Sequence, residues 1–210
     1  MRNRFVFRLA LGALACSCAA YAQYKSGPAG PPPSEVAAPI GQALQKDGAK
    51  IAGPSGAYAE IWLRSDKPSG SKTTDEGVTL PGIPQGALLG VLRFDVKGSD
   101  RRGQNIKPGV YTLRYGLMPV NGDHQGAAPQ RDFLVLSPAA DDKDLNATPN
   151  FDALMVMSRK ASGTPHPAVL SFSKADSDAP GFAKQGDDWV LQTKLGDTTV
   201  AIIVIGTAAS

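Results

Sequence analysis

An apolar–polar alternation of period two, punctuated by glycine and proline, is the feature that most restricts how this chain can fold. Ala57-Tyr-Ala-Glu-Ile-Trp-Leu-Arg64 puts Ala59, Ile61 and Leu63 on one face and Tyr58, Glu60, Trp62 and Arg64 on the other. That is the pattern of a half-buried strand. Further strand-like segments occupy 50–52, 88–96, 110–118, 132–136, 167–173, 189–195 and 198–206. Gly53-Pro-Ser-Gly56 can turn the first pair, and Pro108-Gly109 precedes the strand that lines up Tyr111, Leu113, Tyr115 and Leu117. Leu195-Gly-Asp-Thr198 predicts a two-residue hairpin, with Gly196 where a type II′ turn needs it. There is no βαβ alternation and no internal repeat. The expected fold is mainly β: an antiparallel β-sandwich of seven to eight strands with one main helix, with an open barrel as second choice.

The main helix is expected just after Thr148, which can cap it with Pro149 at the first position and Asp152 in the first turn. Phe151, Leu154 and Met155 form its apolar stripe, Arg159 and Lys160 suit its C-terminal end, and Gly163 can stop it. Val200-Ala-Ile-Ile-Val-Ile205 is apolar on both faces, so it is expected to be covered on both sides, with this helix as the cover. Ile40 and Leu44 mark a shorter helix, limited by Pro39.

The N-terminus reads as a signal peptide over 1–22. Arg2, Arg4 and Arg8 make a basic head, Leu9 to Ala20 an apolar middle, and Ala20-Tyr21-Ala22 an A-x-A cleavage site. The expected mature chain begins at Gln23 and works in the periplasm or outside the cell. Residues 23–48 then form a Pro/Gly-rich linker and short N-terminal segment, and 49–207 the sandwich domain. Losing the three arginines lowers the basic count from 22 to 19, equal to the 19 acids. A neutral chain gives no support for nucleic-acid binding. Cys16 and Cys18 leave with the signal, which removes disulfides, thiolate catalysis and cysteine-bound metals. Soluble export is preferred over a lipid anchor, because Ala13 and Ala15 stand where a lipoprotein signal wants leucine. No apolar run long enough to span a membrane follows the signal, so no transmembrane anchor is expected in the mature chain.

Several pieces carry a resemblance: Glu60-Ile-Trp-Leu-Arg64, Ile106-Lys-Pro-Gly-Val-Tyr-Thr-Leu-Arg-Tyr115, Gly122-Asp-His124, Arg131-Asp-Phe-Leu134 and His166-Pro-Ala-Val-Leu170. Over roughly 49–206 the chain resembles uncharacterised exported bacterial β-sandwich proteins. The resemblance implies a fold and a compartment. It implies no activity, so no catalytic residue follows from it.

The mature chain has two histidines, both in turn-like sequence. His124 lies in Asn121-Gly-Asp-His-Gln-Gly126, and His166 lies between two prolines after the helix. With Asp123 and Asp132 they supply the donor types of a divalent transition-metal centre or a general base pair. The competing reading is that each histidine hydrogen-bonds backbone in a loop. A helix of about 14 residues is long enough to bring His166 back to the end of the fold where His124 sits. Asp142, Asp144 and Asn146 have the alternation of a calcium loop, but Ala147 replaces its glycine and no glutamate follows, so a solvated acidic loop is expected. Trp62 either stacks on a sugar or lies under a covering element, the latter preferred. Arg93, Arg114 and Arg131 are read as surface ion pairs. No nucleophile elbow and no phosphate loop occurs, and no cofactor is specified. The function expected is an exported binding or structural accessory module for a carbohydrate or protein ligand. The alternative is a metal-dependent, hydrolytic centre around His124 and His166.

Overall fold

The computed structural model describes residues 24–120 and 130–207. Within them lie β1 (Lys25–Pro28), α1 (Ala38–Ala43), β2 (Ala49–Gly53), β3 (Gly56–Leu63), β4 (Leu88–Phe94), β5 (Gly98–Ser99), β6 (Asn105–Ile106), β7 (Gly109–Leu117), β8 (Asp132–Pro138), α2 (Phe151–Ser162), β9 (Val169–Lys174), β10 (Gly181–Gln185), β11 (Asp188–Leu195) and β12 (Thr198–Ile205). The chain is mainly β. Ten strands form one antiparallel sheet in the order β1-β2-β3-β4-β7-β8-β9-β12-β11-β10, and β5 and β6 form a separate ribbon. The expected pair of facing sheets is therefore replaced by a single sheet that curls until its edge strands β1 and β10 come close. A twisted sheet of ten strands curls naturally, and curling lets one face enclose its own core.

That enclosed face is the alternation read from the sequence. Ala59, Ile61 and Leu63 of β3, Tyr111, Leu113 and Tyr115 of β7, and Val200, Ile202 and Val204 of β12 all point into the main core. Two smaller cores lie outside the curl. Ile40 and Leu44, on and just after α1, cover Trp62, Leu88 and Val91. Leu154 and Met155 of α2 cover Phe133, Val135 and Val169. The strand that α2 covers is thus β8, not β12. Ala201 and Ile203, on the outer face of β12, stay half-exposed because α2 lies over β8.

The helix itself forms where the sequence places it, with one change at its start. Asn150, not Thr148, is the N-cap: its side chain accepts from Ala153 N at 3.0 Å. Gly163 closes the other end at φ 67°, a conformation that favours glycine. Lys25–Pro28 also departs from expectation. It pairs with β2 as an edge strand, and Gly30 O accepts from Trp62 Nε1 at 2.8 Å. Residues 25–30 are therefore part of the folded sheet, not a spacer.

Strand register defines two ends. One end gathers the last residues of β3, β7, β9 and β11 and the first of β4, β8 and β12. Residues 64–87 cross this end as a lid, with Leu80, Ile83 and Ala87 entering the main core. The opposite end carries the β5–β6 ribbon, whose neighbours Arg102 and Gln104 donate to Pro167 O at 3.0 and 2.8 Å.

Residues 139–150 strap the outer face of β7, and one arginine holds them. Arg114 is wholly buried. Its Nε and Nη2 donate to the two oxygens of Asp142 at 2.7 Å each, Nη2 also to Asp144 O, and Nη1 to Gly86 O and Ala147 O. Five donors meet five acceptors, the full capacity of a guanidinium. The surface-pair reading of Arg114 is corrected here, and within the solvated loop read over 141–146 Asp142 is the exception, buried while Asp141, Asp144 and Asn146 stay exposed. The carboxylate of Asp142 and the carbonyl of Asp144 do enclose a cation, and that cation is Arg114. At Gly86, which has φ 80°, a Cβ would run into Pro149 O. Lid and strap therefore touch backbone to backbone.

Arg114→Leu should destabilise the protein by about 3–5 kcal/mol in urea denaturation, because it leaves Asp142 buried without its partner. Arg114→Leu/Asp142→Leu should recover part of that loss. If the single substitution shifts the midpoint no more than a surface change does, the strap is not held by this pair.

Candidate functional site

The residues expected to make a metal centre do not assemble among the described residues. His124 and Asp123 lie outside the described residues. Asp132 is fully buried, and its two oxygens take four hydrogen bonds: Thr79 N at 2.7 Å, Thr79 Oγ1 at 3.1 Å, Leu80 N at 3.1 Å and Tyr115 Oη at 2.7 Å. A carboxylate so engaged has no lone pair left for a metal. Asp132 pins the lid to the first residue of β8.

His166 stands at the other end of the curl. Leu136 N donates to Ala168 O at 3.0 Å, and Phe133 pairs with Ser171. This register separates His166 from Asp132 by roughly 15 Å or more along the strand. The helix does not return His166 toward Asp132, for a specific reason. The strap 139–150 already returns the chain to the lid end, where Pro149 meets Gly86. From there α2 carries it away again, and Ser158 Oγ donates to Ala168 O at 2.9 Å near the start of β9. No group of three or more His, Cys, Asp or Glu suited to a metal occurs among the described residues.

The sugar-stacking reading of Trp62 also gives way. The ring is 1% exposed, packed beneath Ile40 and Leu44.

The open chemistry lies at the seam between the sheet's two edges. Away from the lid the edges are clasped by aromatic rings. Tyr24 meets Tyr58 and Trp189 edge-on, with centroids 5.9 and 5.6 Å apart, and Phe182 stacks on Trp189 at 5.3 Å. Toward the lid the edges part. The β10 strand pairs with β11 only over Asp188–Gln192, so no strand among the described residues pairs with that edge of Thr193–Leu195. On the facing side β1 pairs only with β2. Between them is a cleft of about 300 Å³ with Ile61 and Leu63 as its apolar floor and Ser26, Pro28, Gln45 and Thr193 at its sides. Gln45 Nε2 donates to Lys194 O at 2.6 Å. A side-chain amide thus binds β11 where a neighbouring strand would.

Sequence reasoning missed this seam because it missed β10. The signal was present: Gln185-Gly-Asp-Asp188 has the same Gly-Asp turn as Leu195-Gly-Asp-Thr198. Gly186 and Gly196 have nearly the same φ, 59° and 58°. No family, curated protein or solved structure is found to match this chain.

The lid anchor has a pH signature. Burial, and then the hydrogen bond to the Asp132 carboxylate, hold the Tyr115 phenol well above the usual tyrosine range. A proton held more tightly when folded leaves stability intact below the unfolded pKa, near 10, and erodes it as pH rises beyond. Urea midpoints should therefore fall above about pH 10, and less steeply in Tyr115→Phe. At pH 7 that variant should be about 1–2 kcal/mol less stable, since Asp132 loses a donor. Equal slopes for both proteins would mean that Tyr115 is not the group responsible.

Proposed function

We propose that this chain is an exported binding module that takes an extended segment of another protein into its seam by strand addition. Export rests on the basic head, apolar middle and A-x-A site of residues 1–22. The observation that carries the binding reading is the pair of unpaired strand edges facing one another across a cleft. An exposed edge is a row of unused N–H and C=O groups, and a peptide strand is the ligand that satisfies it. The Gln45 amide on Lys194 O supports this, because it supplies one such bond from a side chain. Alternate side chains of the guest would point at the floor of Ile61 and Leu63, which favours an apolar residue there. The buried charged groups at the lid and strap, Asp132, Arg114 and Asp142, are occupied by structural bonds, which favours binding over catalysis there.

The test uses short labelled peptides that alternate apolar and polar residues, with proline-interrupted versions as controls. Alternating peptides should bind saturably and slow amide exchange in Ser26–Gly27 and Thr193–Leu195. Thr193→Trp, which fills the cleft from its side, should abolish binding and leave the melting temperature near wild type. Failure of every peptide to protect these amides, or undiminished binding by Thr193→Trp, would sink the proposal.

A further inference from the structure

The lid end carries a second cleft, of about 310 Å³, between the lid and the ends of β9 and β12. Three lysines border it: Lys67 and Lys72 from the lid and Lys174 from β9. The hydroxyl-bearing residues Thr79 and Thr198 and the apolar Leu80 complete the part that matters here. We propose that this cleft binds a doubly charged oxyanion ester, a phosphate monoester, and this does not depend on the seam.

The charges around the cleft do not cancel. Lys67 Nζ donates to Thr198 Oγ1 at 2.6 Å and stands 3.9 Å from Asp197, a carboxylate that is 91% exposed. Lys72 and Lys174 have no acid within ion-pair distance among the described residues, and both are exposed. Asp66 is matched by Arg64 at 2.6 Å. No acid lines the cleft itself, and Asp132 lies beneath Thr79 with its charge spread over four donors. Three cations against one weakly held surface acid leave an excess positive charge. A phosphate dianion fits that excess better than a carboxylate does.

The geometry is also fixed rather than accidental. Thr79 Oγ1 donates to Asp132 and accepts from Lys174 N at 2.9 Å, so lid and β9 are joined at the cleft itself. At Gly196, φ is 58° and a Cβ would come within 2.8 Å of Lys67 N, so the β11–β12 turn presses the base of Lys67 into place. Lysine is a point-charge donor that suits phosphate oxygens approached from several directions. The apolar Leu80 and Ile83 beside them suit the carbon body of an ester.

The experiment titrates phenyl phosphate at pH 8 and low salt, where the phosphate is doubly ionised, and follows backbone amides by NMR. Wild type should show saturable shifts confined to residues 79–83, 174 and 198, and affinity should fall with added salt. Lys72→Ala/Lys174→Ala should weaken binding by about tenfold or more, because neither side chain holds the fold. A Lys184→Ala control on β10 should bind as wild type does. Phenyl phosphate should also outcompete benzoate. Absent or unsaturable shifts, shifts scattered over other lysines, full binding by the double variant, or equal affinity for benzoate would each overturn the assignment. None of these outcomes bears on peptide binding at the seam.

Discussion

The guanidinium of Arg114 is the contact on which the outer architecture depends. It sits on the outward face of β7, where the sequence pattern calls for an ordinary polar side chain. Its five bonds reach the lid at Gly86 and the strap at Asp142, Asp144 and Ala147. Thr112, two residues earlier on the same face, donates to Asp142 as well. Without the strap, α2 would start from an unfixed point. With it, α2 begins at the lid end and lies along β8, burying Phe133 and Val135. A buried pair of this kind adds little to net stability against an apolar replacement. What it contributes is a single allowed path for residues 139–150.

Asp132 plays the matching part inside. Its carboxylate gathers Thr79, Leu80 and Tyr115, and so joins the lid to two neighbouring strands. A carboxylate that serves as the meeting point of four donors is unsuited to metal ligation or proton transfer. Asp132, one of the residues whose chemistry looks most reactive in the sequence, is one that the fold has used to close itself. The groups left open are plainer ones: strand edges, an amide and lysines.

The strands were legible because their period is local. Eight of the twelve fall on segments that alternate or run apolar, and the faces of β3 and β7 are as the pattern implies. What the pattern does not encode is which element covers which strand. The apolar outer face of β12 looked like the most buried surface, yet it is β8 that lies beneath α2. Arg114 gave no local sign of burial, since all five of its acceptors lie 28 or more residues away in the chain, the Gly86 carbonyl on one side and the others on the opposite side. The strand β1 was hidden by glycine and proline, which read as linker but are tolerated on an edge. Of the seam, only the β10–β11 turn was readable. Its opening follows from the lengths of β10 and β11, and that mismatch is visible only once the register is known.

That mismatch explains why the two ends of the curl differ. A sheet whose edges paired along their whole length would have no exposed backbone and no cleft at the seam. Here β10 reaches only to Gly181, opposite Gln192, while β11 continues to Leu195. The ring of Tyr24 compensates at one end, where it fills the gap with apolar surface instead of hydrogen bonds. At the other end the Gln45 amide bridges the gap, donating to Arg64 O and Lys194 O. The lid, the three lysines of the second cleft and the open edges all lie at that end, to which the strap also returns the chain. Stable packing along the strands and at the clasped end holds the frame, and the variable chemistry is left to the loops of the open one.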